Sequence, residues 1–319
     1  MGFIYSQLFV TPKLPTASLA RQTAIITGSN VGLGKEAARH ITAFGAAKVI
    51  LAVRNTTAGE EARQDILKTT GVKADLVEVW KLDLSSYASV KEFATKAEKE
   101  LDRIDILLEN AGIATDKFQI AEGHERTITV NVISTFLLAF LLLPKLKATA
   151  SKFTTKPRLS IVSSEVHGWS KLDEQHSELM FPVLDDPKTA NMKERYPTSK
   201  LLEVLPFRQI APKFADAGVV INILNPGLCH SSLSRDAGWF LYFLKLALAR
   251  TTEVGSRTLV AAAVAGEESN GKYMHDGLVD EHELSPFVRS PEGDAVGKRV
   301  WSELKAILED IQKGVTEGF

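Results

Sequence analysis

The sequence has a single cysteine, Cys229, among 319 residues. One thiol excludes an internal disulfide bond and any metal site built from several cysteines, so we expect a reducing, cytoplasmic location and no bound metal. Neither sign of charge is in excess, because 38 Lys and Arg side chains stand against 39 Asp and Glu. A nearly neutral chain without a basic block gives no electrostatic footprint for nucleic acid. The balance of 45% hydrophobic and 24% charged residues excludes a disordered chain and favours a globular protein that handles a small molecule.

Long hydrophobic runs are also missing. The most apolar run, residues 132–143, ends at Pro144 and is shorter than the roughly 20 residues that a membrane-spanning helix needs. The first ten residues are apolar but carry no basic leader. Residues 1–6 fit a loose N-myristoylation pattern, yet no polybasic segment follows them. We therefore predict that residues 1–20 form an arm packed on the domain, with membrane contact as the less favoured alternative.

What the sequence does contain is an alternation of short apolar runs with amphipathic helical segments. The runs fall at residues 24–26, 49–53, 76–82, 104–108, 159–163, 219–224 and 271–275. Helical patterns lie between them, at residues 34–44, 58–70, 86–101, 124–146 and 253–265, with another long helix from Tyr196. This alternation predicts an α/β fold, a Rossmann-type doubly wound parallel sheet of about seven strands with helices on both faces. No linker interrupts it, so we predict a single domain over residues 1–319.

Three segments stand apart from this alternation. Residues 165–195 are an insertion with neither a helical nor a strand period, and so long a loop in a compact domain is usually functional. Residues 228–252 include a run rich in Phe and Leu that we interpret as a substrate lid, and residues 281–319 are a C-terminal extension with a helix at 291–313. We predict that the insertion and the lid wall a pocket for a lipophilic compound, and local packing is the alternative. The residues concerned are Trp169, Met180, Phe181, Trp239, Phe240 and Phe243.

A glycine-rich turn connects the first strand to the first long helix. Glycines let the backbone turn tightly and approach a pyrophosphate, while the N-terminus of the helix offers free N–H groups and a partial positive charge. A turn of this kind, placed after the first strand, predicts a nucleotide site. The predicted cofactor contacts in the turn are Thr27, Gly28, Ser29, Asn30, Gly32, Leu33 and Gly34.

Two cations near this turn favour NADP (NADPH) over NAD. Arg54 lies about 20 residues beyond the turn, where an acidic residue would hold the ribose 2′-hydroxyl of NAD. Lys35 follows the last glycine of the turn. Two positive charges suit a 2′-phosphate. The alternative is that both side chains are solvated surface charges.

Further motifs follow in a fixed order along the chain. They are Leu82-Asp83-Leu84, Asn110-Ala111-Gly112 after the fourth strand, Asn131 in the next helix, Ser164 at the end of the fifth strand, Tyr196-Pro197-Thr198-Ser199-Lys200 and Asn225-Pro226-Gly227. Together with the glycine-rich turn, they make residues 23–276 resemble the short-chain dehydrogenase/reductase family. The sequence is most similar to its retinol-dehydrogenase-like branch, in a form associated with fungal oxidoreductases.

This resemblance implies four catalytic residues, Asn131, Ser164, Tyr196 and Lys200. In it the tyrosine is the general acid or base, the serine hydrogen-bonds the substrate oxygen, the lysine binds the ribose hydroxyls, and the asparagine holds a water of the proton relay. For Asp83 and Asn110, which the resemblance places at the cofactor, the alternative is turn chemistry at a strand end. The implied cofactor contacts beyond the turn are Asp83, Leu84, Asn110, Ala111, Gly112, Tyr196, Lys200, Pro226, Gly227 and Ser231.

The Tyr-x-x-x-Lys pattern occurs twice. Tyr87 and Lys91 also match, but they precede the fourth strand, so we interpret them as an ordinary pair on a helix surface. Tyr196 and Lys200 share a helix face, which lets the ammonium lie near the phenol. A cation there favours the phenolate and lowers a pKa that starts near 10. Of the two serines that end the fifth strand, the order in the family favours Ser164 over its neighbour at 163.

The sequence departs from the family pattern in two places. Glu109 stands where the family usually has the first Asn of Asn-Asn-Ala-Gly. Pro206 and Pro212 fall inside or at the end of the long helix after Tyr196, and an interior proline removes a hydrogen bond at a cost of about 3 kcal/mol. We therefore expect a kink near Pro206. Because this helix often forms the dimer interface in the family, a monomer and a homodimer both stay open.

These observations predict an NADPH-dependent oxidoreductase, a carbonyl reductase of the kind used in fungal secondary metabolism. It would reduce a ketone or aldehyde on a lipophilic small molecule, or oxidise the alcohol in reverse. Two alternatives stay open: a non-catalytic NADPH-binding sensor or scaffold, and a membrane-associated dehydrogenase of retinoids or lipids. The fold alone does not choose among them.

Overall fold

The apolar runs of the sequence become the strands of a central sheet. The computed structural model describes residues 2–216, 218–230 and 248–317. Its strands are β1 (Thr23–Thr27), β2 (Lys48–Val53), β3 (Val77–Lys81), β4 (Ile106–Glu109), β5 (Ile120–Ala121), β6 (His124–Glu125), β7 (Arg158–Val162), β8 (Val220–Asn225), β9 (Lys272–His275) and β10 (Leu278–Val279). Its helices are α1 (Phe3–Phe9), α2 (Gly32–Ala43), α3 (Thr56–Thr70), α4 (Tyr87–Glu100), α5 (Arg126–Ile128), α6 (Ser134–Phe153), α7 (Met180–Leu184), α8 (Arg195–Asp216), α9 (Thr252–Val264) and α10 (Pro291–Ile311).

Eight of the described strands form one sheet in the order β3-β2-β1-β4-β7-β8-β9-β10. Neighbours are parallel from β3 to β9, and β10 pairs antiparallel with β9. The strands β1, β4 and β8 are buried along their whole length, as a parallel sheet covered on both faces requires. The predicted doubly wound parallel sheet is confirmed, with seven parallel strands and the antiparallel β10 added at one edge.

Helices cover both faces of this sheet. Successive residues of a strand point to opposite faces, so each strand contributes to two cores. In β1, Ile25 packs into the core formed with α4, α6, α8 and α10, and Ile26 packs into the core formed with α2, α3 and α9. The carboxyl ends of the parallel strands therefore meet along one edge, where ligands of open α/β sheets bind.

The most apolar helical segment is a core element. Residues Arg126–Phe153 are long and apolar enough to cross a membrane by length and composition, with a mean hydropathy of 2.0, and the helix continues through Pro144. However, 89% of this window is buried inside the fold. Since a core helix of a soluble domain passes the same test, burial assigns this segment to the core.

The N-terminal arm docks through polar side chains. The Ser6 hydroxyl donates to Asp276 at 2.8 Å, and Arg250 donates to the Ser6 carbonyl at 2.9 Å and to the Val10 carbonyl at 3.0 Å. Arg250 and Asp276 form a buried ion pair at 2.7 Å beneath α1. The apolar residues that suggested an arm packed by hydrophobic contact point outward instead. They are Ile4, Tyr5, Leu8 and Phe9, each at least 51% exposed.

The insertion at residues 165–195 contains short helical turns, including Glu165–Trp169, Asp173–His176 and α7. Met180 and Phe181 are buried in the core, and their amides donate to Glu303 of α10 at 2.8 and 3.1 Å. Local packing therefore explains these two side chains, and they do not line an open pocket. Trp169 is 59% exposed. Three residues assigned to the pocket lie outside the described residues, namely Trp239, Phe240 and Phe243.

The two long helices α8 and α10 pack against each other. The α8 helix is one continuous element across Pro206 and Pro212. The α10 helix matches the helix predicted in the C-terminal extension and contributes Val300 and Leu304 to the core. It therefore covers part of α8, the helix whose outer face the family resemblance assigns to a dimer interface.

Candidate functional site

The glycine-rich turn forms a tight cradle of backbone at the carboxyl edge of the sheet. Gly28 has φ of +65°, and a Cβ there would lie 2.9 Å from the Cα of Ala111. A Cβ on Gly34 would lie 2.7 Å from the Gly28 carbonyl oxygen and would also meet the side-chain amide of Asn110. The α2 helix begins inside the turn, at Gly32. The turn therefore excludes side chains and leaves backbone N–H groups at a helix N-terminus, which suits a pyrophosphate.

Side chains hold this cradle from behind. The Asn110 amide donates to the carbonyls of Thr27 at 2.9 Å and Gly28 at 3.3 Å. The Thr27 hydroxyl accepts from the backbone N–H groups of Asn110 and Ala111, both at 2.9 Å. The Ser29 hydroxyl is buried and donates to Ile26 at 2.8 Å. The side chains of Thr27, Ser29 and Asn110 thus shape the turn, which is the turn chemistry that the sequence left open for Asn110.

The remaining residues of the turn differ in exposure. Asn30 and Gly32 are partly exposed, and Gly32 has φ of +64°. Leu33 packs against the core beneath α2 and lies close to Gly255 of α9. These residues therefore set the path of the backbone into α2 and tie it to the core.

The two cations predicted at the cofactor have different surroundings. Lys35 pairs with Asp65 of α3 at 2.7 Å, and Arg39 pairs with the same carboxylate. Hydrogen bonds from Lys35 and Arg39 lower the pKa of Asp65 to about 2. Arg54 is exposed after β2, and its guanidinium makes no hydrogen bond or ion pair with another described residue. Arg54 is therefore the cation that is available to an incoming anion.

Asp83 closes a turn after β3. Its carboxylate accepts from the backbone N–H of Ser85 at 3.0 Å and from the Ser85 hydroxyl at 2.6 Å. Burial alone would raise the pKa of Asp83, but these hydrogen bonds, with the charges of Arg54 and Lys81, lower it. The carbonyl of Leu84 accepts from Ser134 of α6 at 2.6 Å. Asp83 is thus a fixed anion close to Arg54.

The residues predicted to be catalytic meet at the ends of β7 and α8. Ser164 is the second residue after β7, and Tyr196 lies in the first turn of α8. The Lys200 ammonium lies 5.7 Å from the centre of the Tyr196 ring, and the Ser164 hydroxyl is near enough to lower the pKa of the phenol. The structure therefore brings these three groups together where β7 ends and α8 begins.

Burial has the largest effect on the pKa of the Tyr196 phenol. Burial raises the pKa of Tyr196, the positive charge of Lys200 lowers it, the negative charge of Glu203 raises it, and Ser164 lowers it. The net direction is upward. The expected lowering by Lys200 is present, but desolvation of the phenolate and the nearby carboxylate outweigh it.

Lys200 is held in place by two acceptors. Its ammonium donates to the Val162 carbonyl at 2.9 Å and to Glu203 at 2.7 Å. Burial alone would lower the pKa of Lys200, but the charge of Glu203 reverses the shift and raises it. The ammonium thus stays charged while buried, as a paired cation can.

Asn131 connects this group to the loop after β4. It lies in a π-helical turn, Thr129–Ile133, between α5 and α6. Its side-chain oxygen accepts from the Ile113 backbone N–H at 2.8 Å. Its side-chain nitrogen donates to the Ile113 carbonyl and to the Ser199 hydroxyl, both at 2.9 Å. A Cβ on Gly112 would be 3.3 Å from the Asn131 oxygen and 3.8 Å from the Lys200 ammonium. Gly112 therefore leaves open the space between these two polar groups.

The last predicted cofactor contacts follow β8. Gly227 has φ of +76°, and its N–H donates to Asn225 at 2.9 Å. A Cβ there would lie 2.5 Å from the side-chain amide group of Gln7 and 2.9 Å from the Arg250 guanidinium. The Pro226 carbonyl accepts from Arg250 at 3.4 Å. Ser231, the remaining predicted contact, lies outside the described residues.

Sequence reasoning missed three features of the site. Glu203 was not singled out, although an acidic residue three positions after the lysine lies on the same helix face. The π-helical turn around Asn131 leaves no trace in the apolar pattern. The contact of α1 with Gly227 joins residues more than 200 positions apart, and a single sequence carries no signal for it.

Comparisons with known proteins agree with this geometry. A family model described as short chain dehydrogenase matches residues 22–154. The short chain dehydrogenase/reductase dmxR8 of Cryptosporiopsis sp. (strain 8999) is 49% identical, with 100% of both chains covered. The short-chain dehydrogenase anuD of Penicillium roqueforti (strain FM164) is 45% identical over 99% of this chain and 84% of its own.

Solved structures share the fold. The NADPH-bound carbonyl reductase from chicken fatty liver has a TM-score of 0.62 at 19% identity, over 82% of this chain and 99% of its own. The RhlG/NADP complex of Pseudomonas aeruginosa has a TM-score of 0.61 at 23% identity, over 82% of this chain and 97% of its own. With relatives 49% and 45% identical over nearly the whole chain, and with Ser164, Tyr196 and Lys200 joined at one edge of the sheet, the chain belongs to the short-chain dehydrogenase/reductase family of oxidoreductases.

Proposed function

We propose that the chain is an NADPH-dependent reductase of a ketone or aldehyde on a lipophilic small molecule, reversible to the alcohol dehydrogenase reaction. The observation that carries the proposal is that a phenol, a hydroxyl and an ammonium, from Tyr196, Ser164 and Lys200, lie together where β7 ends and α8 begins. A general acid beside a hydrogen-bond donor is what protonation of a carbonyl oxygen requires. The exposed Trp169, five residues after Ser164, supports an apolar substrate.

The residues present fit a dinucleotide. The turn at Gly28 and Gly34 has no room for a Cβ, and α2 begins within it, so the pyrophosphate would lie against backbone N–H groups. Arg54 would hold the 2′-phosphate, and the space at Gly112 would admit the ribose near Lys200. A protein of the same fold, the chicken carbonyl reductase, binds NADPH. When bound, the cofactor supplies the hydride.

The side chains of the site divide the remaining work. In the reductive direction, Ser164 donates a hydrogen bond to the carbonyl oxygen and holds it against the phenol. Tyr196 donates its proton to that oxygen, and its raised pKa keeps the phenol protonated until a substrate arrives. Lys200 then stabilises the phenolate that forms, because its ammonium is fixed nearby by Val162 and Glu203. Asn131 would hold a water that returns the proton.

The proposal is tested by following NADPH consumption over a panel of ketones, aldehydes and quinones, with NADH alongside. We expect turnover with NADPH on apolar carbonyl compounds. Binding of NADPH without turnover on any of them would favour the alternative, a sensor or scaffold. An activity that appears only with detergent or lipid vesicles would favour the membrane-associated alternative.

The preference for NADPH is tested by Arg54→Ala. Loss of a charge-assisted pair with the 2′-phosphate removes about 1.5–3 kcal/mol, so the dissociation constant for NADPH should rise about 10- to 100-fold. Binding of NADH should not change, because NADH lacks the phosphate. Isothermal titration with both cofactors measures the two constants. Lys35→Ala is the matched control, and its effect should be smaller because Asp65 already holds that ammonium. An equal loss for both cofactors in Arg54→Ala would overturn this assignment.

A further inference from the structure

Glu109 is a carboxyl group that lies buried in the fold. It ends β4 and lies on the same face of the sheet as Leu107, which is the face that α8 covers. Its side chain is 3% exposed, and neither of its oxygens has a hydrogen-bond partner among the residues that the structure describes. Ionising such a group is costly, so it stays protonated. Burial, and then the negative charge of Glu203, raise the pKa of Glu109 well above its ordinary value.

Glu203 is the buried partner of Lys200. It lies three residues after the lysine on α8, is 2% exposed, and accepts from the ammonium at 2.7 Å. Burial raises the pKa of Glu203 to about 7, although Lys200 pulls it downward. Above neutral pH, Glu203 is therefore mostly ionised while Glu109 stays neutral, as expected for two nearby carboxyls that do not both ionise readily.

We propose that Glu203 is a positioning residue, an inference that rests on the proposed function. Glu203 anchors Lys200 and partly cancels its charge. Together with the neutral Glu109, it sets the pH range in which Tyr196 exchanges its proton. The charge of Lys200 lowers the pKa of the Tyr196 phenol, and an ionised Glu203 weakens this effect. Loss of the Glu203 charge strengthens it. The two carboxyl groups thus act on the proton donor through Lys200, without contacting the substrate.

The groups around Glu203 support this assignment. On α8, Tyr196 and Lys200 face it, and from β4 the neutral Glu109 faces it. From the end of β7, the Ser163 hydroxyl donates to the Lys200 carbonyl at 3.2 Å. The α10 helix packs against α8 further along, where its Asp294 accepts from the Gln209 side chain. Lys200 is therefore the cation that acts on the charge of Glu203.

The test compares pH profiles of Glu203→Gln and Glu109→Gln. Glutamine at 203 keeps an acceptor for Lys200 and removes the charge, so the pKa of Tyr196 should fall. The alkaline limb of kcat for carbonyl reduction should move to lower pH by about one unit, as expected from a unit charge several ångströms away. Glu203→Leu also loses the anchor and should lower kcat by about tenfold more. Glu109→Gln copies the neutral acid and should leave the limb in place. An unmoved limb in Glu203→Gln, or an equal shift in Glu109→Gln, overturns the proposal.

Two readouts do not need turnover. The absorbance of tyrosinate, titrated in the wild type and in Glu203→Gln with Tyr196→Phe subtracted, follows this phenol even if no substrate is found. The shift should again be about one unit downward, and no shift overturns the proposal whatever becomes of the proposed function. If Glu203→Gln fails to fold, the infrared band of a protonated carboxylic acid tests whether Glu109 is neutral, as the proposal requires. Above neutral pH, where Glu203 is mostly ionised, this band should still be present in the wild type and should be weaker in Glu109→Gln, and its absence from the wild type at that pH counts against the pair.

Discussion

Tyr196→Phe should lower kcat for carbonyl reduction by about 10³-fold, within the range of 10²–10⁴ that a positioned general acid contributes. The substitution removes one oxygen and keeps the ring, so the packing of this side chain is retained. Binding of NADPH should stay nearly unchanged, because the turn at Gly28 and the cation at Arg54 lie elsewhere along the sheet edge. Steady-state kinetics and cofactor titration on the same preparation separate the two effects.

The chain provides its own control for this substitution. Tyr87 and Lys91 have the same spacing at the start of α4, but the Lys91 ammonium donates to the Ile311 carbonyl of α10 at 3.2 Å. Burial raises the pKa of Tyr87 well above its ordinary value, so its phenol is a poor proton donor. Tyr87→Phe should therefore leave kcat unchanged. Full activity in Tyr196→Phe would remove the phenol from the mechanism, whatever the control shows.

Gly34→Ala should raise the dissociation constant for NADPH by about 5- to 150-fold, since overpacking of this kind costs about 1–3 kcal/mol. The added methyl group would lie 2.7 Å from the Gly28 carbonyl oxygen and would displace the Asn110 amide from its two carbonyl acceptors. The turn would then open at the point where a pyrophosphate must approach. Fluorescence titration with NADPH measures the loss.

A double-mutant cycle shows whether the damage passes through Asn110. Asn110→Ala alone loses the hydrogen bonds that hold the turn, and Gly34→Ala in that background meets a smaller neighbour, so the combined loss should be less than the sum. Gly59→Ala is a control for alanine in a tightly packed helix, because its Cβ would meet Val79 and Val53 in the core away from the turn. It should lower stability without a selective loss of NADPH binding. Strict additivity at 34 and 110 would mean that the two residues act independently.

Much of the fold follows from local pattern. Strands β1, β2, β4 and β8 are mostly apolar because both sheet faces are covered, and such apolar runs stand out in a sequence. The short β10 did not, because Leu278 is 72% exposed and a two-residue strand has no periodicity. The insertion shows no helical or strand period, yet its residues Met180 and Phe181 lie in the core. The sequence pattern does not reveal this, because the helix that they contact, α10, lies more than a hundred residues away in the chain.

Part of the candidate site also follows from local pattern. Tyr196 and Lys200 can be predicted from the sequence, because a spacing of four residues places both side chains on one face of a helix. The hydrogen bonds by which Asn110 and Thr27 hold the turn cannot be predicted from the sequence, because they depend on which strands are neighbours in the sheet. Glu109 departs from the family pattern, but its significance depends on Glu203, which lies on α8 and not on the sheet.

The docking of α1 has a consequence for the order in which the protein is made. Ser6 and Asp276 are separated by 270 positions in the chain, and Arg250 and Ser6 by 244. Because a ribosome adds roughly 5–20 residues per second from the N-terminus, the first helix must wait undocked until nearly the whole chain has been synthesised. Its contact with Gly227 is thus among the last to form. The end of the site beside that glycine is completed only in a chain that extends to Asp276, so a nascent chain or a product truncated before that residue would carry the glycine-rich turn without it.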